Sequence, residues 1–528
     1  MRPIARPIIR PISPGDQTSL LNRERRTKDR DALANGEFVD VLVVGGGVTG
    51  TGVALDAATR GLSVALVEAN DFAFGTSRWS SKLVHGGLRY LAGGHINIAW
   101  ESALERSILM QNVAPHLIRA LPQMVPEYDT TARKYRTLTR VGLYGADAMR
   151  KASKLPGSRL AKPKHISGPR AAALAPSLPA ERIEGAMLLQ DGQLEDDARL
   201  VVAIARTAAA YGAKIVTHAK ATDLGPGGAT IEDTLDGGTF QLNARTVVNA
   251  TGIWAAQNDS RISLNPSRGS HLVLASSTLG DSNVGIALPV PDHFGRYVFT
   301  MPQPDGLTYV GITDVDAGTE IPDVPMASEE EIQWILDILS DNLSKPIERD
   351  QVIGTYAGLR PLVAGGEGED AKSSADISRE HLVLGEAGGV ITVTGGKLTT
   401  YRKMAQDTVD KITDKPCLTK KIPLVGAGGS LAGTSVADIP ARLKRRYGTE
   451  ASLVSALSDR DPSLLEPIVA SDLAEYAHLV PALKVEFAWA VEAEGAMTVE
   501  DLVERRVRFN MVDGLADLAI PVAESLLD

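Results

Sequence analysis

The 528-residue sequence has a single cysteine, Cys417. An internal disulfide is excluded, and a cysteine-ligated iron–sulfur cluster or Cys-rich structural zinc site cannot be assembled. No metal is expected. Sparse cysteine fits a reducing, cytoplasmic compartment. Long apolar runs are also missing: no stretch reaches the roughly 20 residues that a membrane-spanning helix needs. A secretory signal requires an unbroken apolar segment, but the basic N-terminus is interrupted by Pro3, Pro7, Pro11 and Pro14. Positive charge is in deficit, with 55 Lys plus Arg against 65 Asp plus Glu and a formal net charge of -10. That balance argues against broad nucleic-acid binding.

What is present suits a large globular protein. Hydrophobic residues make up 44% and charged residues 23%, a composition that folds, and the length predicts roughly two to four domains. Residues 1–36 read as a basic, flexible leader. Its second reading is an arm for anionic lipid, using Arg2, Arg6, Arg10, Arg23, Arg25, Arg26 and Lys28. Within it, 18–34 has helical potential.

From residue 37 onward, Val39–Val44 reads as a buried strand, 52–61 as a tightly packed helix, and 62–68 as a second buried strand ending in an acid. This strand–turn–helix–strand order begins a doubly wound parallel sheet. Residues 101–119 look helical, and 125–165, rich in Arg, Lys and Tyr, look like an inserted capping segment. A helix near 197–211 precedes a strand at 214–218, hairpin signals fill 225–238, and 246–249 is a further strand. Strands of a second sheet are expected at 271–275, 297–300 and 309–313, and a polar glycine-rich loop at 364–376. Beyond residue 418 the pattern is mainly helical, most clearly at 438–447 and 499–512.

Gly45, Gly47 and Gly50 fit G-x-G-x-x-G between strand and helix. The first glycine permits the tight turn, the second lets backbone approach a pyrophosphate, and the third allows close helix–strand packing. The helix N-terminus offers N–H groups to phosphate. Glu68, ending the second strand, suits a ribose diol. The fingerprint alone leaves NAD and FAD open. Two further elements turn the reading to FAD: Val248-Asn249-Ala250-Thr251-Gly252, a strand end of the kind that recurs in two-dinucleotide flavoproteins, and Thr394-Gly395-Gly396-Lys397-Leu398-Thr399-Thr400 before a probable helix. A helix N-terminus there can stabilise negative charge on the reduced flavin.

The run from Thr76-Ser77-Arg78-Trp79-Ser80-Ser81-Lys82 through His85-Gly86-Gly87-Leu88-Arg89-Tyr90-Leu91 resembles the signature of FAD-dependent, quinone-linked glycerol-3-phosphate dehydrogenases. Arg268-Gly269-Ser270-His271, Gly358-Leu359-Arg360-Pro361-Leu362 and Gly395 through Lys403 are similar to motifs of the same family, and the run from Val485 to Arg506 resembles its C-terminal helical domain. The likeness covers nearly everything after residue 37. It implies an α/β fold: a discontinuous Rossmann-like FAD domain of the D-amino-acid-oxidase/glycine-oxidase type, a mixed-sheet substrate domain, and a helical C-terminal domain. The expected boundaries are 37–118, 180–262 and 380–415 for the FAD domain, 119–179 and 263–379 for the substrate domain, and 416–528 for the helical domain.

The resemblance also implies the chemistry: sn-glycerol 3-phosphate oxidised to dihydroxyacetone phosphate, with electrons passed from FAD to a quinone. Arginine binds phosphate bidentately, and Arg89, Arg360 and Arg379 match the family's substrate arginines. His271 is the expected base, with His85 as rival, and Tyr90 a candidate hydrogen-bond donor to substrate. Thr76, Ser77, Ser81 and Lys82 are expected against FAD's phosphates or ring, Thr251 and Gly252 at the second nucleotide element, and Lys397 and Thr399 at the flavin's pyrimidine edge. Quinone as acceptor implies peripheral contact with the inner face of the cell membrane, and a homodimer is compatible. Three other readings stand beside this one: an oxygen-using glycerol-3-phosphate oxidase, an amine or amino-acid oxidase of the same fold, and a non-catalytic FAD-binding scaffold.

Overall fold

Strand β1 (Val39–Val44) forms because its residues are β-branched and apolar, and its side chains are buried along almost its whole length. The computed structural model of the chain describes residues 12–87, 96–291, 293, 295–364, 381–428, 438–470 and 476–527. In it β1 pairs in parallel with β2 (Val64–Val67) and with β10 (Thr239–Asn249). Strand β7 (Lys214–Val216) extends the parallel set beyond β2, and β18 (Val390–Gly395) extends it beyond β10. Strand β17 (His381–Leu384) closes that edge antiparallel. The hairpin of β8 (Ala219–Gly225) and β9 (Gly228–Asp233) leads into β10.

Alternation along β1 decides which layer each side chain enters. Val41 and Val43 pack toward helices α2 (Val48–Thr59), α5 (Asp197–Ala210) and α7 (Tyr401–Asp410). Leu42 and Val44 face the layer of Val216, Ile231 and Leu242. Gly52 lets α2 approach α7 closely, since a Cβ there would lie 2.9 Å from the Tyr401 ring.

The second sheet is mixed and has ten strands in the described residues. Its order is β15 (Val315–Asp316), β11 (Leu264–Ala275), β14 (Leu307–Gly311), β13 (Tyr297–Pro302), β12 (Gly285–Pro289), β4 (Ile118–Tyr128), β6 (Ile183–Leu194) and β3 (Leu83–Val84). Strand β16 (Val352–Val363) also pairs with β11, and β5 (Lys164–Ser167) with β6. Leu272, Leu274 and Val310 on one face pack against helix α6 (Glu329–Asn342). Val273, Tyr309 and Tyr356 on the other face pack with Trp79 and Met511.

Three expectations need correction. Residues 12–36 are not a flexible arm. Helix α1 (Arg23–Ala34) is capped by the Asn22 side chain, which accepts from the Arg25 amide. Arg26 is buried and donates to Asp233 at 2.8 Å and to the Thr217 carbonyl at 2.8 Å. Backbone bonds from Leu21 to Ala493 and from Gly495 to Leu21 tie the segment to the helical domain. Arg26 and Arg30 both pair with Asp233 and Asp236.

The domain boundaries also shift. Strands β3 and β6 lie inside the expected FAD-domain segments, but both belong to the mixed sheet. A long apolar-alternating strand does not announce which sheet it joins. Finally, 499–512 is not one straight helix. Asp501–Arg506 is a π-helical turn, and the chain then reverses at Arg508, whose φ is +68°. The reversal brings three arginines inward. Arg505 and Arg506 grip the buried Asp71 carboxylate at 2.9 and 2.6 Å, and Arg508 donates to Asp197 at 2.9 Å. The helical domain is completed by α8 (Lys484–Ala493) and α9 (Leu515–Leu527), the second unforeseen in the sequence.

Two buried guanidiniums sharing one carboxylate lose their common partner if it is removed. Asp71→Ala is therefore expected to destabilise the protein by about 3–5 kcal/mol, measured as a lowered denaturant midpoint of the purified protein.

Candidate active site

The turn from β1 into α2 builds one end of the site. Gly45 has φ +115°, and a Cβ on it would lie 2.6 Å from the Ala250 carbonyl oxygen. A Cβ on Gly50 would overlap the carbonyl oxygen of Gly45. Only glycine fits at either position. Glu68 accepts from the Gly46 amide at 2.6 Å and the Asn70 amide at 2.9 Å. Burial pushes its carboxyl up, against the pull of those two N–H groups. The Ser77 hydroxyl accepts from the Val48 amide at 2.9 Å and so lies against the N-terminus of α2. Thr76 is spent on the Leu359 carbonyl at 2.7 Å, which ties this loop to β16.

A cleft of about 1740 Å³ runs from this turn to the mixed sheet. Gly45, Gly47, Glu68, Thr76, Ser77 and Ser81 line it, and so do Thr251, Gly252, Gly395, Gly396, Lys397 and Thr399. The structure thus brings these separated motifs to one cavity. Thr394 donates to the Gly252 carbonyl at 3.1 Å, joining the two later elements. Lys397 reaches Ser102 at 3.0 Å, on helix α3 (Ile96–Ile108). The lead-in turn of α7, Leu398–Thr400, borders the same cavity.

The far wall is β11 with β16. The period of two splits Arg268-Gly269-Ser270-His271 between faces. Arg268 and Ser270 do not line the cleft themselves, and both donate to Glu331, at 2.7 and 2.9 Å. Gly269 lines the cleft, and a Cβ there would collide with the Arg360 guanidinium. Arg360 also lines the cleft. It is held by the Ser267 hydroxyl at 3.1 Å, the Thr313 carbonyl at 3.1 Å and Asp314 at 3.4 Å.

His271 is fully buried and stands behind the wall rather than on it. Its ring stacks on Tyr356 at 4.4 Å, and its Nε2 shares a 2.9 Å hydrogen bond with Ser81 Oγ. Burial, helped by the positive charges of Lys82 and Arg360, pushes its pKa well down, so the ring is neutral. The path from His271 to the cleft runs through the Ser81 hydroxyl. His85 lines the cleft itself.

Lys82, expected against the cofactor, does not line the cleft. Its ammonium is buried and donates to Asp197 at 2.9 Å and to the Arg78 and Ser80 carbonyls. A φ of +57° turns the residue inward. Burial brings its pKa down to about 8 despite the neighbouring Asp197 carboxylate. Burial alone would raise the Asp197 carboxyl, but Lys82 and Arg508 hold it below the usual range. Arg89, Tyr90 and Arg379 lie outside the described residues.

Several lining groups escaped the sequence reading. Asp191 pairs with the Arg106 guanidinium at 2.6 Å, beside Gly86. Glu331 and Asp314 brace the Arg360 wall. Only Glu331 had a local signal, because Ser328 and Glu331 form a capping box. That signal marks a helix start and says nothing about a site. Asp191, Arg106 and Asp314 sit in no motif.

The groups present fit a flavin dinucleotide. A glycine turn and helix N-terminus suit a pyrophosphate, the carboxylate at Glu68 suits a ribose, and the cleft exceeds the few hundred to roughly 1,000 Å³ of an ordinary ligand site. Residues 40–402 match the FAD-dependent oxidoreductase family, and 417–526 match the C-terminal domain of alpha-glycerophosphate oxidase. The chain is 43% identical to glycerol-3-phosphate dehydrogenase 1 of Mycobacterium tuberculosis, over 97% of this chain and 99% of that protein. It is 35% identical to the mitochondrial glycerol-3-phosphate dehydrogenase of Arabidopsis thaliana, over 94% and 84%. The crystal structure of a Bacillus halodurans glycerol-3-phosphate dehydrogenase complexed with FAD superposes with a TM-score of 0.70 at 26% identity, covering 96% of this chain and 94% of that one.

Because a Cβ at position 50 would strike the backbone of Gly45, Gly50→Ala is expected to purify without its flavin. Visible flavin absorbance relative to protein absorbance measures this.

Proposed function

The chain belongs to the FAD-dependent glycerol-3-phosphate dehydrogenase family, and from that premise we propose that it oxidises sn-glycerol 3-phosphate to dihydroxyacetone phosphate and passes the electrons to a quinone. The observation that carries the substrate reading is Arg360, a braced guanidinium on the cleft wall opposite the glycine turn. A fixed guanidinium is the group a phosphate monoester needs. Arg89 and Arg379 are proposed to complete the phosphate clamp, with Tyr90 beside them.

Bound FAD supplies the two-electron acceptor for the hydride that leaves C2. The chain's own residues do the rest. Arg360 anchors the phosphate, so that binding energy at a remote group positions the reacting carbon. The C2 hydroxyl proton passes to neutral His271 by way of Ser81 Oγ, which donates its own proton to Nε2 as it receives the substrate's. His85 is the competing acceptor, because it lines the cleft directly. Ser77 is assigned to the pyrophosphate turn, and Lys397 and Thr399 to the flavin's pyrimidine edge. Lys82 is assigned to holding the Ser80–Ser81 loop rather than to FAD.

Quinone is favoured over oxygen because the close relatives are named dehydrogenases. A quinone lives in a bilayer, so the proposal carries peripheral contact with the cytoplasmic face of the membrane. No helix among the described residues is long and apolar enough to cross one.

Anaerobic titration with glycerol 3-phosphate should bleach the flavin, and a quinone analogue should restore its colour. Peroxide formation in air at a matching rate would make the enzyme an oxidase instead. Arg360→Ala should lower kcat/KM by about 2–4 kcal/mol, roughly thirty- to thousandfold, discounted for the partial exposure of its side chain. An unchanged kcat/KM removes the phosphate assignment. In single-turnover bleaching, His271→Ala should be slowed strongly and His85→Ala little, and the reverse order transfers the proton to His85. Since the His271 pKa is depressed, its neutral form persists on acidification. The acid limb of the bleaching rate should therefore lie below the ordinary histidine value of about 6.5.

A further inference from the structure

Helix α4 (Arg133–Ala152) is built inside out. A surface helix ordinarily turns its apolar stripe to the core. The buried residues of α4 are Leu143, Asp147 and Arg150, the last two paired at 2.7 Å, and Arg140 and Arg136 reach out to Glu127 on β4 and Glu184 on β6. Most of its large apolar residues are exposed to solvent. Leu138, Val141 and Tyr144 recur every three residues and are 53%, 65% and 53% exposed. Beside them on α3, which packs against α4, Ile96 is 60% exposed and Trp100 39%. Leaving such a face in water is unfavourable by tens of calories per Å² of apolar surface.

The charge around this face is as unusual. Residues 133–170 hold eleven Lys and Arg and one acid, Asp147, in a chain of net charge -10. Lys134, Lys151, Lys154, Arg159, Lys162 and Lys164 are exposed. A second copy meeting this face across a two-fold axis would set like charges against each other. Anionic lipid complements both features: a bilayer boundary takes Leu, Val, Tyr and Trp, and headgroup phosphates take Lys and Arg.

We propose that α4, with Ile96 and Trp100, is the surface by which the enzyme lies on an anionic bilayer. This names the docking surface for the peripheral contact proposed above, and vesicle binding tests it whatever the electron acceptor. Arg26 and Arg30 of the leader are taken up by Asp233 and Asp236. Leu138, Thr139 and Gly142 of α4 also line the cleft. Docking therefore sets the cleft mouth against the lipid, where an apolar acceptor would enter without crossing water.

The test is cosedimentation of the full-length, flavin-loaded enzyme with phosphatidylcholine vesicles, with and without phosphatidylglycerol. Binding should require phosphatidylglycerol and fall as salt rises. The pair Val141→Asp, Tyr144→Asp and the pair Lys151→Glu, Lys154→Glu should each weaken it at least about tenfold, on the scale of one charge or one side chain per step. Bleaching by glycerol 3-phosphate in solution should be unchanged in both, which also reports that they fold. Wild-type binding to either vesicle type lost only on Arg2→Gln, Arg6→Gln, Arg10→Gln would return the role to the leader and overturn the proposal. So would unaltered vesicle binding in the two α4 variants. Conversion from dimer to monomer in those variants, with vesicle binding retained, would assign the face to a second copy.

Discussion

The inward-turned arginines near the end of the last domain tie that domain to the rest of the molecule. Arg505 and Arg506 close on Asp71, and Arg508 on Asp197 and the Arg78 carbonyl, all with little or no exposure to solvent. A buried ion pair recovers its desolvation cost only when the geometry is fully satisfied. These pairs are therefore sensitive to position. Asp71 and Arg78 bracket the loop that delivers Ser77 to the α2 N-terminus, and Ser80 and Ser81 follow it. A helical domain thus holds a cleft-lining loop more than 400 residues earlier in the chain. Arg199 with Glu494 and Arg206 with Glu450 repeat the pattern on α5.

The cleft wall depends on a second constraint, the alternation of β11. Arg268 and Ser270 on one face of its four-residue motif bind Glu331, and Gly269 on the other lines the cavity. Gly269 is required because Arg360 crosses above it from β16. His271 is in the same register but is covered by Tyr356 and Ser81. The neutral imidazole follows from that cover: a charged ring would be dehydrated there and faced by Lys82 and Arg360.

Much of the nucleotide end was legible in the chain. The glycine turn, Glu68, the Thr251-Gly252 element and the Gly395-Gly396-Lys397 turn each carry a local signal, because each needs special backbone torsions or ends a buried strand. The Arg360 wall was legible only in part. Arg360 stood in a motif, but its braces Asp314 and Thr313 come from a different strand end and have no local signature. Lys82 shows the opposite failure. It sits within a motif full of cleft-lining residues, yet with a positive φ it turns to Asp197. The leader was misjudged for a related reason. Arg26 and Arg30 look solvated until Asp233 and Asp236, two hundred residues away, are folded against them.

The sequence by itself determined the family, the dinucleotide fingerprint and the alternation of strands and helices, since each is encoded within a few consecutive residues. Tertiary structure alone decided which sheet β3 and β6 join, which way Lys82 points, and that His271 meets the cleft through Ser81. It also decided that α4 turns its apolar side outward. Each of those facts depends on partners far along the chain. A sequence pattern records what a residue is and how it is spaced, but the direction of a side chain is settled by the charge or surface that folding brings to it.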